Sequence, residues 1–316
     1  QSGVALITAV LIVAMASIAA VAMTQTMQIG THRTANVILA DQRFLYSLGS
    51  EAWSRGQLMR DIIDNNPYDG LDEDWAKELP LTVVEAGQVA AKTTDLQGRF
   101  NLNNLYLPEE PDQETRERGK QQLEFFKRLL SLLELEEGIA QATADWLDQD
   151  IDPQFPDGAE DNEYLGQTPA HRTANRMMAN ITELRLVKGV SAEAFEQLAP
   201  HITALPEFTL LNVNTAGNLL LRSLNTSIDE ASAESLMSER EENPFKDKKA
   251  FLDRLAELLS DNKPTAEEIE SLITVSSQYF QLETRVQMNN ASQILISLLN
   301  KQQQGVSVLS RTLGVF

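Results

Sequence analysis

A cluster of acidic residues in the middle of the chain is its densest concentration of reactive groups. Eight carboxylates lie within nineteen residues, and no Lys or Arg occurs between Arg128 and Arg172. The cluster consists of Asp145, Asp148, Asp150, Asp152, Asp157, Glu160, Asp161 and Glu163. Such crowded carboxylates repel one another unless a cation joins them, and Ca²⁺ accepts about six to eight oxygens in flexible geometry. The cluster therefore indicates either a calcium site or a solvated acidic loop.

The spacing of these carboxylates resembles the start of an EF-hand loop only briefly. Asp148, Asp150 and Asp152 alternate as the first ligands of an EF-hand do. Pro153 then stands in place of the required glycine, and Ala159 in place of the final glutamate. A calcium site here would have a geometry of its own.

Catalytic motifs do not accompany the acidic cluster. The three histidines, His32, His171 and His201, are scattered, and the sequence contains no cysteine, no HExxH and no GxSxG motif. Paired carboxylates also serve glycosidases and metal-dependent hydrolases. A catalytic metal site usually includes imidazole, however, and the cluster contains none. The sequence predicts that the protein is not an enzyme.

A membrane segment precedes everything else in the chain. The first 32 residues contain no charged side chain, and from Val4 to Met23 only Thr8 and Ser17 interrupt the apolar run. About twenty residues of helix match the hydrocarbon thickness of a bilayer. Because the chain starts at Gln1 without a basic flank, we expect that a short leader has been removed and that this segment is kept. The helix is predicted to continue, becoming amphipathic, as far as Trp53.

The remainder of the chain is strongly acidic. It carries 46 acidic and 26 basic residues, a net charge of −20. Phosphate binding depends on Lys and Arg, so this balance disfavours nucleic acid and anionic lipid as partners. The absence of cysteine excludes disulfides and thiolate metal sites.

Strand patterns occur near the two ends of the chain, with a helical block between them. The predicted strands are 81–84, 88–94 and 98–102 early in the chain, and 279–288, 293–299 and 306–313 late in it, with turns at Ala86-Gly87, Asn289-Asn290 and Gln304-Gly305. The predicted helices are 124–135, 143–147, 181–186, 192–198, 218–224, 231–241, 249–260 and 266–273. The pattern predicts an α+β fold in which a large α-helical insertion interrupts a small antiparallel sheet.

Five segments, in the same order, resemble one family. They are residues 1–14, Gly98-Arg99-Phe100-Asn101-Leu102-Asn103, Ala144-Asp145-Trp146-Leu147-Asp148, residues 158–165, and Leu211-Asn212-Val213-Asn214-Thr215-Ala216. Together they resemble the large minor pseudopilin of type II secretion, general secretion pathway protein K. The resemblance implies a pilin-like domain on a long N-terminal helix. It divides the chain into residues 1–32 in the membrane, 33–107 and 273–316 as the pilin-like domain, and 108–272 as the inserted helical domain.

The resemblance also implies where the protein works and what it binds. It implies a subunit at the tip of the pseudopilus, anchored once in the bacterial inner membrane with its globular region in the periplasm. The implied partners are the minor pseudopilins of the I, J and H types, the major pseudopilin and secreted exoproteins. Most pilins carry a glutamate where this chain has Ala5, and a subunit with nothing above it needs no such carboxylate.

Calcium belongs to the same family expectation. The resemblance includes calcium in the region of the acidic cluster and so favours the metal site over the solvated loop. The ligands expected in this chain are Asp148, Asp150, Asp152, Asp157, Glu160 and Asp161.

An alternative function comes from a second similarity. Residues 211–216, residues 231–240 and Asn243-Pro244-Phe245 are similar to the helix-hairpin-helix modules of DNA-uptake receptors, and Lys188-Gly189-Val190 belongs to a related turn. Those modules hold phosphate through a glycine hairpin flanked by basic residues. The corresponding stretch here, Leu224 to Glu230, has no glycine and ends acidic. The alternative is a membrane-anchored periplasmic DNA-uptake receptor, which the charge of the chain opposes.

Overall fold

One long helix opens the chain. The computed structural model describes residues 2–85, 87–259, 266–289 and 291–315. Helix α1 (Ser2–Asp64) has 63 residues, which corresponds to about 95 Å at about 1.5 Å per residue. Side chains of its first half, such as Val4 and Ile18, are exposed. Within the described residues it is the one helix long and apolar enough to cross a membrane. The predicted continuous helix is confirmed, and it extends beyond Trp53.

An antiparallel sheet of five strands packs on the second half of α1. The strands, in both chain order and spatial order, are β1 (Leu79–Val84), β2 (Gly87–Asp95), β3 (Tyr279–Met288), β4 (Ala291–Gln302) and β5 (Gly305–Val315). Each predicted strand of the two end segments, other than 98–102, is confirmed. Two strands therefore come from before the helical block and three from after it.

The alternation of side chains fixes how the sheet sits on α1. Near the C-terminal end of the helix, Leu58 packs with Trp75 and Phe280, whose rings meet edge to face at 5.0 Å. Nearer the membrane segment, Tyr46 packs against Val286. The start of β3 and the end of β2 thus lie at the end of the sheet farthest from the membrane segment.

A buried charge locks the helix to the sheet. Glu51 of α1 is 3 % exposed and accepts hydrogen bonds from the Ser297 hydroxyl at 2.8 Å and from Arg311 Nε and Nη2 at 2.7 and 2.8 Å. Burial alone would raise the pKa of Glu51, but the Arg311 guanidinium and Ser297 hold that pKa below its ordinary value. Both partners lie on the late strands, so the buried carboxylate of Glu51 has these hydrogen bonds only when β4 and β5 are in place.

Helices fill the chain between the two parts of the sheet. They are α2 (Gln113–Leu132), α3 (Gly138–Leu147), α4 (Asp161–Tyr164), α5 (Ala192–Leu198), α6 (Asn218–Leu224), α7 (Glu230–Glu242), α8 (Lys248–Leu258) and α9 (Ala266–Glu270), with 3-10 turns at Asp74–Ala76, Leu102–Leu105 and Ile181–Leu186. They share one large hydrophobic core. We call residues 97–277 the helical body. The predicted α+β architecture, a small sheet interrupted by a helical insertion, is confirmed.

Three local predictions are corrected. The predicted strand 98–102 is extended only at Phe100–Asn101, which pairs with Ile202–Thr203 inside the helical body. Ile181–Leu186 is a 3-10 turn. The last predicted helix ends at Glu270, and Ile273–Thr274 instead pairs with Leu211–Asn212. Predictions on Ala86, Ser260 and Asn290 fall outside the described residues.

The boundaries of the domains stay a prediction. Phe100, placed before the proposed boundary at 107, stacks on Phe126 at 5.0 Å within the core of the helical body. The sheet itself resumes at Tyr279. These contacts suit an insertion that begins and ends a few residues closer to the strands.

Asparagine side chains hold segments that have no regular strand partner. Asn103 Nδ2 donates to Met178 O, and its Oδ1 accepts from Met178 N. In the same way, Asn214 Nδ2 donates to Phe245 O and Asn214 Oδ1 accepts from Phe245 N, at 2.9 Å each. A side-chain amide presents one donor and one acceptor, so it can imitate a neighbouring strand. This explains two of the asparagine-rich segments that carry the family resemblance.

A buried polar joint connects the helical body to the sheet. Lys301 of β4 forms ion pairs with Asp61 of α1 and with Asp69, whose side chains are 7 % and 1 % exposed. Asp69 also accepts from Ser277 N at 2.7 Å. Burial raises the pKa of Asp69 to about 6, although Lys301 and Ser277 oppose that rise. The fully buried Asp95 completes the joint by accepting from the Ser277 hydroxyl.

Candidate metal centre

The acidic cluster occupies the loop that follows α3. The helix ends at Leu147 because Asp148 turns into an extended conformation while its N–H still bonds to Ala144 O. We call residues 148–160 the acidic loop. It returns to the same end of the helix, and α4 begins directly after Glu160. Asp148 and Glu160, which are twelve positions apart in the sequence, are thereby brought together.

Three carboxylates meet at this end of α3. One oxygen each from Asp148, Asp150 and Glu160 lies within 4.8 Å of the other two. Asp148 and Glu160 are each 5 % exposed, whereas Asp150 faces solvent. An ion bound among them would be held by two buried carboxylates and reached through the third.

Two oxygens of this group lack any partner. Asp148 Oδ1 and Glu160 Oε1 are buried and accept no hydrogen bond within the described structure. Burial, together with the charges of Asp150, Asp145 and Glu160, raises the pKa of Asp148 to about 7. Burial and then Asp145 raise the pKa of Glu160 to about 7. Buried oxygens without donors are costly, and a divalent cation with oxygen ligands would satisfy both of them.

Asp145 shapes the loop and was not among the predicted ligands. Its carboxylate accepts from Gln154 N at 3.1 Å and from Ala159 N at 2.7 Å, which closes the acidic loop over the end of α3. Burial raises its pKa to about 6, against these two hydrogen bonds. Gly158 is required here, because a Cβ would lie 2.2 Å from Asp145 Oδ2. The signal in the sequence is a lone Asp on the apolar face of a helix.

The remaining predicted ligands lie outside the group of three. Asp161 pairs with Arg172 at 3.0 Å and accepts from Thr173 N. Asp152 and Asp157 are exposed. The structure thus brings together three of the six predicted residues, and the ligand set as a whole stays a prediction.

Aromatic rings, not imidazole ligands, back the acidic loop. Trp146, Tyr164 and His171 form a triangle with ring centroids 5.1 to 5.9 Å apart. The His171 ring nitrogens lie 3.2 and 3.3 Å from Pro169 O and Leu186 O. His171 therefore supports the packing of the loop.

The arginines beside the stretch Leu224 to Glu230 are bound within the protein. Arg128 donates through Nε and Nη2 to Ser223 O and Leu224 O at the end of α6. Arg240 donates to Val213 O from a buried position. Both guanidinium groups bind backbone carbonyls, so neither is free for phosphate.

The long apolar helix, the small antiparallel sheet and the helical insertion define a pilin-like fold, and within the described residues one N-terminal helix fits a membrane anchor. The family models described as type II secretion system protein K match residues 98–207 and 211–275. The chain therefore belongs to the type II secretion system protein K family, and the predicted membership is confirmed.

Relatives match along the whole length. The chain is 34 % identical to type II secretion system protein K of Pseudomonas aeruginosa, covering 99 % of this chain and 93 % of that protein. It is 31 % identical to the Aeromonas hydrophila protein, covering 99 % and 97 %. It also superposes on a chain of the GspK-GspI-GspJ complex from enterotoxigenic Escherichia coli with a TM-score of 0.76 and 26 % identity, covering 89 % of this chain and 99 % of that one.

Proposed function

We propose that this protein is the minor pseudopilin at the tip of a type II secretion pseudopilus, where it starts and caps the filament. The observation that carries the proposal is the position of the helical body. The body joins the sheet beside the C-terminal end of α1, at Asp95 and Tyr279, so it lies at the end of the molecule farthest from the membrane segment. A body of this size above the helix leaves no room for a further subunit stacked on it, which suits a terminal position.

Assembly would begin in the bilayer. The exposed apolar half of α1 crosses the inner membrane once, with the globular region in the periplasm, and packs on the helices of the I, J and H pseudopilins and of the major pseudopilin. Ala5 offers no carboxylate to a subunit above. The crystallised relative in complex with GspI and GspJ supports this choice of partners. Secreted exoproteins would meet the exposed helical body.

Calcium is the proposed ligand of the acidic loop. Asp148, Asp150 and Glu160 would hold it, because their oxygens converge and two of them are buried without donors. The ion would supply positive charge alone. It would neutralise the loop and fix the end of α3 against α4, and Asp152, Asp157 and Asp161 remain candidate further ligands.

The proposed role involves no catalysis. Within the described residues, the candidate metal group consists of Asp148, Asp150 and Glu160 and includes no histidine. His171 lies against backbone carbonyls and aromatic rings. The family is a component of a secretion machine. The carboxylates therefore serve a structural ion.

Binding to other pseudopilins is the direct test. The intact chain, solubilised from membranes, should retain the I and J pseudopilins of its own secretion system in a pull-down. A version that begins at Arg33 should retain them more weakly, because the globular heads still meet after the helix contacts are lost. Failure of both versions to retain any pseudopilin would contradict the proposed position at the tip.

The uptake-receptor alternative predicts affinity for DNA, whereas our proposal predicts none. At physiological salt the protein should show no measurable binding to duplex DNA, because its net charge is −20 and the arginines beside the hairpin are engaged. Fluorescence anisotropy with a labelled duplex measures this. Micromolar binding that weakens as salt is raised would favour the receptor instead.

A further inference from the structure

A groove of about 420 Å³ separates the outer face of the sheet from the helical body. The face of the sheet that points away from α1 forms the floor of the groove. The 3-10 turn Ile181–Leu186 and helix α5 form its wall. The floor consists of Gln281, Ile296, Leu298, Ser310 and Thr312. The groove reaches β5, so it opens at the edge of the sheet. Its volume is in the lower part of the range of ligand sites, which is about 300 to 1,000 Å³.

A cation without a partner lines this groove. Arg99 is partly buried, and within the described residues its side chain makes no hydrogen bond and no ion pair. Burial lowers its pKa, and the charge of Asp95 only partly opposes this. The oxygens of Asp95 already accept from Thr215, Ser277 and Gln97. A desolvated guanidinium favours a carboxylate, which it can bind through two parallel hydrogen bonds.

The groove contains no acidic side chain. The chain has 46 acidic residues and 26 basic ones, yet the lining of the groove includes Arg99 and no carboxylate. The remaining lining is apolar, as with Ile202 and Phe195, or carries hydroxyl and amide groups. Its charge is therefore complementary to an anion, in contrast to the rest of the surface.

The edge at which the groove opens suits an extended peptide. Strand β5 pairs with β4 on one side only, within the described residues. It carries exposed Leu309 and Leu313, and its one charged residue, Arg311, is bound to Glu51. Natural edge strands are usually protected by charge, proline or a covering segment. In the described structure the single charge of β5 is paired with Glu51, and the strand has neither a proline nor a covering segment. An added strand would satisfy its free backbone groups.

We propose that this groove binds an extended, apolar segment of a partner protein through one acidic side chain, which pairs with Arg99. The segment would lie along β5 and place its carboxylate between the sheet and the helical body. This goes beyond the proposed function and does not rest on it, because the groove is independent of the anchor and of the acidic loop.

The test uses two peptides that differ in one group. Each is a labelled, end-blocked decapeptide of alternating Val and Thr with a central Glu or a central Gln, titrated against the full-length protein in detergent by anisotropy. The Glu peptide should bind about tenfold more tightly than the Gln peptide, the difference expected for one charge-assisted pair. Arg99→Gln should abolish the preference, and Arg99→Lys should retain part of it. Equal affinity of the two peptides, or a preference that survives Arg99→Gln, would overturn the proposal.

Three controls test the specificity of the result. Arg285→Gln removes an exposed arginine from the same sheet face, where it pairs with Glu283 at 3.4 Å, and should leave the preference unchanged. Because the Arg99 side chain has no hydrogen-bond or ion-pair partner among the described residues, Arg99→Gln should melt at the temperature of the unmodified protein. A clear fall would instead mark Arg99 as structural. Free hexanoate should compete far more weakly than the Glu peptide. Equal competition would show that the groove binds a small carboxylate, and it would overturn the proposal of a peptide site.

Discussion

Calcium should raise the melting temperature of the full-length protein in detergent by roughly 5 to 10 °C relative to the same protein in EGTA. A ligand that binds only the folded state adds about 2.7 kcal/mol when its free concentration is a hundredfold above Kd. For a folded unit of about 150 to 250 residues, each kcal/mol shifts the melting temperature by about 2 to 4 °C. The gain arises at Asp148 and Glu160, each of which has one buried oxygen without a hydrogen-bond donor in the described structure. Differential scanning fluorimetry measures it.

Two matched variants assign the effect to the group of three carboxylates. Asp148→Asn should remove the calcium response, and in EGTA it should melt above the unmodified protein because one of several repelling charges is gone. Asp152→Asn changes an exposed residue outside the group. It should keep most of the response if the three carboxylates hold the ion, and loss of the response would add Asp152 to the ligands. Magnesium should substitute poorly, since its small octahedral shell keeps its waters. If calcium does not change the melting temperature and elemental analysis finds no calcium in the purified protein, the acidic loop is a solvated loop and not a metal site.

Lys301→Met should destabilise the protein by about 3 to 5 kcal/mol, the usual cost of removing one partner from a buried ion pair. The substitution keeps the length and apolar stem of the side chain but leaves two buried carboxylates, Asp61 and Asp69, without their ammonium. Urea unfolding in detergent, followed by tryptophan fluorescence, gives the free energy of unfolding.

The matched control is Lys92→Met on β2. Lys92 pairs with Glu78 at 2.5 Å, but both side chains are 61 % exposed, so the expected cost is below about 1 kcal/mol. An equal cost for the two variants would show that the joint contributes nothing special.

The cost of Lys301→Met should also depend on pH. Burial already raises the pKa of Asp69 to about 6 in the folded protein, and loss of the ammonium raises it further. A carboxyl group whose folded pKa is raised binds its proton more tightly in the folded state, so stability falls as pH rises from the unfolded pKa towards the folded one. The variant should therefore lose more stability at pH 8 than at pH 5. A loss independent of pH would contradict the assignment to Asp69.

Local patterns in the sequence predicted most of the architecture. The apolar run, the alternation in Tyr279–Met288 and the helical spacing around Phe125 each depend on neighbours within a few residues, so the elements could be located before the structure. The acidic cluster was visible for the same reason. The meeting point of Asp148, Asp150 and Glu160 at the end of α3 was not visible, because it depends on how the acidic loop folds back on the helix.

The features that escaped prediction join residues far apart in the chain. Lys301 meets Asp61 across 240 positions and Asp69 across 232, and no spacing rule links them. Ile273 fits a helical pattern, yet its backbone pairs with Leu211. Arg99 sits in a segment noted for its resemblance, but its lack of a partner is a property of the folded groove. Long-range pairing decides each of these cases.

The division of the sheet between the two ends of the chain sets the order in which the molecule can be finished. Strands β1 and β2 are made early, but the partner of β2 is β3, which begins at Tyr279. Until the late strands have been synthesised, Glu51 has neither Ser297 nor Arg311, and Asp61 has no Lys301. Closing a loop of this length carries only a modest entropic cost, but it cannot happen before the last part of the chain arrives. An interrupted chain would therefore expose unpaired acidic groups on its helix, and only a completed one offers a finished subunit for assembly.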